Sequence, residues 1–496
     1  MSTFRSLSCH ASGVPQVKAS VRKRSDAALN RAHILKAAGS LLKRHPTASM
    51  AAIAKASNVA RGTLYKHFPT RADLLAAVND EARTAAAASS RDALRPAGEL
   101  ARATPSPMSV ADVLNKVPPH LLGDQIVAEA QRIAGVTSAA VYLVDLNGVQ
   151  LRRFAGPPSF PRAIPTPSAV GTEIPREGIP AVRAAVDDHL PGAASAPLVL
   201  RGRALGVLVA VGNRQADLQD LAYEAAAALE LADRYTDALR SARRTRSTSP
   251  AAEIQQNLLP PRIVRTNGAL IAGNVLPGYE IGGDWFDYAE NAQATWLGIA
   301  DATGTGPRAA ALSAIALGAF RSARHDELGL IETVQGMDAA VRAVSLDGGT
   351  VTTTIAQWVP PTSTFSWITC GEIGPVLIAA DGTGEVLPYS TPSPLGDPSG
   401  FTVPQLHSRR LADNDRVALV SDGVLERTST TEEVFGSQGV IDAVRDAPVG
   451  SAAGAVRSIE ATLHTMNESE LVDDATVVVL VPVLMGDPDL GEAPAR

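Results

Sequence analysis

Residues 296–306 read Trp-Leu-Gly-Ile-Ala-Asp-Ala-Thr-Gly-Thr-Gly, an apolar run that meets an aspartate, Asp301, and then a glycine-rich turn. Such a run predicts a short buried strand that places a carboxylate at its end. Three further segments combine an aspartate, small residues and a neighbouring strand-like run. They are Gly282-Gly283-Asp284, Ser421-Asp422-Gly423 after the run 416–420, and Asp473-Asp474-Ala475-Thr476 before the run 477–481.

The repeated pattern predicts a metal site built from oxygen ligands. One aspartate in a turn is ordinary turn chemistry, but four carboxylate segments at strand ends suit hard divalent cations. The chain has only two cysteines, Cys9 and Cys370, too few for a thiolate zinc site or a disulfide framework. Any metal is therefore expected to bind oxygen or imidazole.

These four segments, in their order and spacing, resemble the metal-dependent protein phosphatases (PPM family), in particular the bacterial SpoIIE/RsbU-like branch. The resemblance spans residues 253–483. It includes Glu-Ile-Gln-Gln-Asn-Leu-Leu-Pro at 253–260, which resembles the regulatory helix at the start of the phosphatase domain in that branch. The implied fold is a β-sandwich flanked by helices, with the metals at one end of the sandwich.

By this resemblance, the catalytic acids are also the metal ligands. The implied ligands are Asp284, Asp301, Asp422 and Asp473, together with the backbone carbonyl of Ala302. Two Mn²⁺ or Mg²⁺ ions held there would activate a metal-bound water for attack on a phosphoserine or phosphothreonine. No covalent intermediate is implied, so Cys370 is not expected to be a nucleophile.

Two positions depart from the family pattern. Thr305 stands where the branch commonly has the histidine of Asp-x-x-Gly-His-Gly, and Glu372 stands where its Asn-Ala-Gly-His motif ends. Neither position is a direct metal ligand in the implied set. An alternative therefore stays open, in which the chain is a DNA-binding transcriptional regulator whose phosphatase-like domain is non-catalytic and senses or scaffolds.

Positive charge is concentrated near the N-terminus. The whole chain has a formal net charge of −6, but residues 17–71 hold twelve Lys and Arg residues against one acid, Asp26, a net charge of +11. A basic head on an acidic body predicts binding of the head to a polyanion.

Helical spacing within this head predicts a helix-turn-helix. Apolar residues recur at that spacing from 34 to 42, and Ser49 can cap a second short helix. Asn58 can adopt the left-handed conformation of a tight turn before a third helix, 60–68.

The segment 53–68 resembles the DNA-binding domain of TetR-like repressors, and this resemblance covers residues 31–78. It implies that the third helix enters the major groove of double-stranded DNA, while Leu64 and Phe68 lie in the core. The implied DNA contacts are Arg61, Thr63, Tyr65, Lys66 and His67. A helical bundle used only for dimerisation is the alternative.

Residues 109–235 follow the order helix, strand, loops, hairpin and long helix, which resembles a GAF domain. The resemblance is clearest in the hairpin at 198–208, which reads Leu-Val-Leu-Arg-Gly-Arg-Ala-Leu-Gly-Val-Leu. GAF domains often bind small molecules, but nothing in this sequence names a ligand, and a scaffold without a ligand is equally compatible with it. His189 alone is more typical of a surface or packing residue than of a haem ligand.

A stripe of apolar residues at alternating spacings of three and four follows the hairpin. Its members are Leu218, Leu221, Ala225, Ala228, Ala232, Tyr235 and Leu239. This a/d pattern predicts a short parallel coiled coil that joins two chains into a homodimer. The same stripe would also suit a helix packed on its own domain.

The complete interpretation is a multidomain signalling protein. An all-α TetR-like helix-turn-helix head, an α/β GAF-like domain and an α/β PPM β-sandwich flanked by helices are expected. The predicted division is 1–24 basic tail, 25–90 DNA-binding domain, 91–108 linker, 109–235 sensor, 236–252 connecting helix and linker, 253–483 phosphatase, and 484–496 tail.

The resemblance further implies a substrate and a setting for this protein. The expected substrate is a phosphorylated STAS-type anti-sigma-factor antagonist, so that the output would control a sigma factor. No stretch approaches the roughly 18 apolar residues of a membrane span, and residues 1–20 lack the apolar region of a signal peptide. The protein is therefore expected to be soluble and cytoplasmic.

Overall fold

A computed structural model describes residues 34–39, 41, 50–68, 70, 74, 77–78, 109–279, 282–345, 348–371, 374–390, 393–467 and 473–483. The chain divides into two units, Met1–Ser106 and Pro107–Arg496. Each unit has its own hydrophobic core, and they are described in turn.

The N-terminal unit contains the predicted helix-turn-helix. Residues 34–39 are helical, and two short helices follow, α1 (Met50–Ala56) and α2 (Arg61–His67). Asn58, between them, has a φ of 51°, the left-handed conformation expected for this turn. Leu64 and Phe68 are buried in a core with Ile53, which confirms their predicted structural role.

The second unit begins with an α/β domain whose sheet runs in the order β3-β2-β1-β6-β4, with β5 also paired to β6. The strands are β1 (Ser138–Val144), β2 (Gln150–Ala155), β3 (Ala163–Pro165), β4 (Ile174–Pro175), β5 (Ala194–Leu200) and β6 (Arg203–Val211). The helices are α3 (Val110–Lys116), α4 (Leu122–Ala130), α5 (Ile179–His189) and α6 (Gln219–Ala232). Short 3₁₀ helices lie at Pro119–Leu121 and Arg176–Gly178.

Both faces of this sheet are covered by helices, as its alternating side chains require. Val141 and Leu143 of β1 pack into a core with α3, α4 and α6, whereas Tyr142 and Val144 pack into a second core with α5. The predicted hairpin is present as β5 and β6, joined by Arg201 and Gly202 with positive φ angles. The structure thus has the predicted element order, and the GAF assignment stays a prediction.

The prediction that the apolar stripe at 218–239 forms a coiled coil is wrong. Leu218, Leu221 and Leu239 are buried in the core of their own domain, together with the alanines of the stripe. Helix α6 ends at Ala232, and a separate short helix, α7 (Ala238–Arg243), follows. The apolar stripe is used up by packing within one chain, so it is not free to form a seam with a second one.

The phosphatase region is a sandwich of two antiparallel sheets. One sheet has the order β15-β12-β11-β10-β9 and the other β14-β13-β16-β17-β8-β7. The strands are β7 (Ile263–Thr266), β8 (Ala269–Leu276), β9 (Asp284–Glu290), β10 (Thr295–Ala302), β11 (Val351–Val359), β12 (Thr364–Cys370), β13 (Val376–Ile378), β14 (Gly384–Val386), β15 (His407–Arg410), β16 (Arg416–Val420) and β17 (Ala475–Pro482).

Helices flank this sandwich on both outer faces, as the resemblance implied. Helices α9 (Gly306–His325) and α10 (Leu330–Val344) pack on the first sheet. Helices α12 (Gly436–Asp446) and α13 (Ala452–Met466) pack on the second sheet, and α8 (Pro250–Leu258) precedes the sandwich. The one-turn helix α11 (Asp422–Leu425) follows β16, and a 3₁₀ turn lies at Pro360–Thr362. Among the described residues, no helix combines the length and apolar character needed to cross a membrane.

Candidate active site

Asp284 and Asp301 face each other at one end of the sandwich. Strands β9 and β10 are antiparallel, and their register pairs Asp301 directly with Asp284. The two carboxyl groups are close enough for the charge of Asp301 to raise the pKa of Asp284. Asp284 is 2% exposed, and its Oδ2 accepts a hydrogen bond of 2.5 Å from Thr476 Oγ1. Neighbouring strands thus supply two of the predicted ligands.

Asp422 reaches the same place because Ser421 ties the end of β16 to the start of β17. The Ser421 hydroxyl accepts from the Thr476 amide at 2.9 Å and donates to the Asp474 carbonyl at 3.2 Å. A side chain on Gly423 would collide with that same carbonyl oxygen, so the Asp-Gly sequence is a steric requirement here. Asp422 consequently lies close enough for its charge to raise the pKa of Asp301.

The two adjacent aspartates at the start of β17 occupy different environments. Asp473 is exposed at the rim, and its charge acts on Asp301. Asp474 is 1% exposed, and its Oδ2 accepts from the amides of Gly283 at 2.8 Å and Asp284 at 3.1 Å. Asp474 therefore holds the Gly-Asp turn that positions Asp284.

Helix α8 reaches this cluster through one side chain. Gln255 Nε2 donates to Asp474 Oδ2 at 2.7 Å and to the backbone carbonyl of Asp284 at 3.1 Å. Sequence analysis did not single out Gln255, Ser421, Asp474 or Thr476 as site residues. The quoted segment 253–260 contains Gln255, but only the three-dimensional fold shows which of its polar residues points inward.

Crowding of buried acids shifts their protonation. Burial raises the pKa of Asp284 well above its ordinary value, and the charges of Asp301 and Asp474 raise it further. The pKa of Asp301 is raised to about 7, first by burial and also by Asp422 and Asp473. That of Asp474 is raised to about 6, mainly by burial. The cluster therefore lacks compensating positive charge, which a divalent cation would supply.

The donor set fits a hard divalent cation. Asp284 Oδ1 and Asp422 Oδ1 are buried without a hydrogen-bond partner. Gly283, without a side chain, leaves its Cα next to the Ala302 carbonyl, since an added Cβ would lie 2.9 Å from that oxygen. No three acidic, His or Cys side chains within the described ranges are arranged so that they could together hold a metal ion. Cation binding would therefore require these carboxylate groups to rearrange around the ion.

Of the two departures from the family pattern, the structure describes only Thr305. Thr305 is exposed immediately before α9, and its side chain does not cap that helix. Glu372 lies outside the described residues. Cys370 is fully buried, and burial raises its pKa to about 12, so it is a neutral thiol at physiological pH.

The predicted DNA-contacting residues lie on α2 or at its end. Lys66 is exposed, while Thr63 and His67 are half-buried, and the His67 ring lies 6.5 Å from that of Phe68. The side chains of Arg61 and Tyr65 lie outside the described part of the chain. The DNA-binding role of all five stays a prediction.

Comparison with known proteins identifies two regions. Residues 291–481 match the family model of stage II sporulation protein E (SpoIIE), and residues 34–78 match that of bacterial regulatory proteins of the tetR family. The SpoIIE match contains Asp301, Asp422 and Asp473, while Asp284 precedes it.

Similar solved structures include phosphatase domains. The RsbU and RsbW domains of Rv1364c from Mycobacterium tuberculosis are 23% identical, over 44% of this chain and 63% of that one, with a TM-score of 0.38. The SiaA-PP2C domain of Pseudomonas aeruginosa is 20% identical, over 47% and 94%, with a TM-score of 0.40. The catalytic domain of the serine/threonine phosphatase PstP, solved with two manganese ions, is 20% identical, over 44% and 99%, with a TM-score of 0.33.

The chain therefore combines a region at residues 34–78 that matches the tetR-family model with a region at residues 291–481 that matches the SpoIIE family model.

Proposed function

We propose that the protein hydrolyses phosphoserine or phosphothreonine in a protein substrate, using divalent cations held by Asp284, Asp301, Asp422 and Asp473 and by the Ala302 carbonyl. The observation that carries this proposal is the convergence of four acids, two of them with unpartnered buried oxygens, at one end of the sandwich. Two Mn²⁺ or Mg²⁺ ions would lower the pKa of a water molecule there and neutralise charge on the phosphoryl group.

The protein's own residues have separable tasks in this scheme. Asp301 and Asp422 would supply charge at the centre of the cluster, since Asp301 pairs with Asp284 across neighbouring strands and the charge of Asp422 raises its pKa. Asp474 and Ser421 act as positioning residues because they fix the backbone on which the ligands stand. The neutral, buried Cys370 takes no part.

We further infer that the sensor domain regulates this site through α8. Arg244, which follows α7, forms an ion pair with Glu253 on α8, and Gln255 on the same helix bonds Asp474. A shift of the connecting segment would therefore be felt at the cluster. A GAF-type ligand for the sensor belongs to this proposal, as does binding of double-stranded DNA by the N-terminal domain.

The proposed substrate is a phosphorylated STAS-type anti-sigma-factor antagonist, in keeping with the SpoIIE match of the catalytic domain. Dimerisation through surfaces other than the buried α6 stripe is part of the same proposal, because TetR-type heads read two half-sites.

The test is Mn²⁺-dependent hydrolysis of p-nitrophenyl phosphate and of a phosphorylated STAS protein. Asp422→Asn keeps the shape but removes a charge, so we expect turnover to fall by at least about 100-fold together with Mn²⁺ binding. Asp413→Asn, an exposed acid elsewhere in the domain, is the matched control and should leave both unchanged.

A second candidate is a non-catalytic regulator, favoured by Thr305 at the family's histidine position. It predicts that wild-type protein neither binds Mn²⁺ nor hydrolyses either substrate, while DNA binding persists. Activity that survives chelation by EDTA would contradict the metal-dependent mechanism itself.

A further inference from the structure

A polar cavity of about 610 Å³ lies between the sensor domain, the connecting segment and the phosphatase domain. Its walls come from all three parts, for example Glu230 of α6, Arg243 of α7 and Arg262 just before β7. This volume is in the range of pockets that hold small organic ligands. It is separate from the carboxylate cluster, whose four aspartates do not line it.

Arginines outnumber acids in this cavity. Four acids line it, namely Glu173, Glu230, Asp233 and Glu253, against six arginines. The arginines are Arg234, Arg240, Arg243, Arg244, Arg262 and Arg321. The lining therefore carries an excess of positive charge.

Each of the four acids lies near an arginine, although Asp233 Oδ1 is buried without a hydrogen-bond partner. Arg203, behind the cavity wall, lies 2.8 Å from Glu173 and 3.3 Å from Glu230. Arg240 lies within 4 Å of both Asp233 and Glu253.

Arg243 is a half-buried arginine of the cavity wall. Its Nε is buried without a hydrogen-bond partner, and within the described ranges its guanidinium forms no ion pair with an acid. Burial lowers the pKa of Arg243, while the charges of Asp233, Glu173 and Glu230 raise it. Arg262, 6% exposed, also leaves its Nε unpartnered. Buried guanidinium donors without partners are costly unless a ligand satisfies them.

We propose that this cavity binds a phosphate-bearing small molecule of about mononucleotide size, with Arg243 as its principal anchor. A planar guanidinium donates two parallel hydrogen bonds to a phosphate group, which matches the donors left over here. Exposed Arg234, at the cavity wall, would add long-range attraction for the same anion.

The position of the cavity gives such a ligand a route to the phosphatase domain. Arg240 and Arg244 line it and contact Glu253, which lies two residues before Gln255 on α8. An anion that attracts these arginines competes with Glu253. This regulatory consequence rests on the proposed function, whereas binding itself does not.

The test is calorimetric titration of the full chain in EDTA, so that metal-dependent binding at the carboxylate cluster is absent. Inorganic phosphate, pyrophosphate, 5′-AMP and 5′-GMP are the probes. We expect saturable binding of at least one nucleotide with one site per chain, weakened about tenfold or more by Arg243→Gln. Arg183→Gln, an exposed arginine on α5, is the matched control and should bind as wild type.

Two further variants keep the test decisive. Arg234→Gln removes an exposed charge and should weaken binding about threefold even if Arg243→Gln fails to fold. Lys66→Gln reports on anion binding by the basic N-terminal unit. Absence of saturable binding by every probe at millimolar concentration overturns the proposal. The proposal is also overturned if Lys66→Gln loses binding while Arg243→Gln and Arg234→Gln retain it. Phosphatase assays of the same proteins show separately whether the proposed function stands.

Discussion

Replacement of Gln255 by leucine should loosen the phosphatase site from outside the acid cluster. Gln255 is 2% exposed and donates hydrogen bonds to the Asp474 carboxylate and to the Asp284 carbonyl. Leucine has nearly the same volume but no donor, so the packing is largely kept while both bonds are lost. Asp474 would retain the Gly283 and Asp284 amides as donors.

The cost can be worked from these bonds. A hydrogen bond to a charged group contributes about 1.5–3 kcal/mol, and a neutral one about 1 kcal/mol. Since two backbone donors still serve Asp474, we expect the free energy of unfolding of the phosphatase domain to fall by about 2–3 kcal/mol. Turnover should fall by more than the smaller fraction of folded protein accounts for, because the Gly-Asp turn that carries Asp284 becomes less rigid.

Tryptophan fluorescence makes the measurement specific to one domain. All four tryptophans, Trp285, Trp296, Trp358 and Trp367, lie in the phosphatase sandwich, so urea unfolding followed by their emission reports on that domain. Ile254→Ala, an exposed change on the same helix, is the control and should cost under about 1 kcal/mol. If Gln255→Leu matches this control in both stability and turnover, the coupling of α8 to the acids is refuted.

Three other changes probe other parts of the chain. Gly423→Ala forces a Cβ into the Asp474 carbonyl. We expect it to cost about 1–3 kcal/mol by the same fluorescence assay and to reduce Mn²⁺ affinity, and wild-type behaviour would exclude the steric reading of the Asp-Gly motif. Cys370→Ala should leave hydrolysis within about twofold of wild type, because the thiol is neutral and buried; abolished turnover in a folded protein would instead make Cys370 essential. Lys66→Gln should weaken DNA binding about equally for all sequences and flatten its salt dependence by roughly one phosphate contact. A selective effect on one sequence, measured by fluorescence anisotropy, would assign Lys66 to a base instead.

Much of the architecture could be predicted because its signals are local. Asn58 shows the left-handed conformation that its residue type favours, and Asp301 lies near the end of a buried apolar strand, as the sequence pattern predicted. The packing partner of the apolar stripe on α6 could not be predicted in the same way. Helical spacing shows that one face is apolar, but it does not show whether Leu221 packs on its own sheet or on a second chain.

The residues of the site also differ in whether the sequence alone reveals them. Asp422 could be recognised because its neighbour Gly423 marks a close approach of two backbones, and such motifs keep their sequence signature. Asp474 and Gln255 have no such sequence signature, because their importance comes from a contact between residues 219 positions apart in sequence. Only the packing of α8 beside the start of β17 brings them together.

That contact also limits how the chain can be regulated. Gln255 is linked to Asp474 by a bond of 2.7 Å, and Glu253 is linked to Arg244 in the connecting segment. Gln255 and Glu253 both lie on α8, a helix of nine residues. Because the backbone hydrogen bonds of a helix are internal, it can move as a rigid element. Displacement of this helix by even one turn would break both links at once. In the proposed regulation, one displacement of this helix would therefore both release Glu253 from Arg244 and disturb the bond between Gln255 and Asp474.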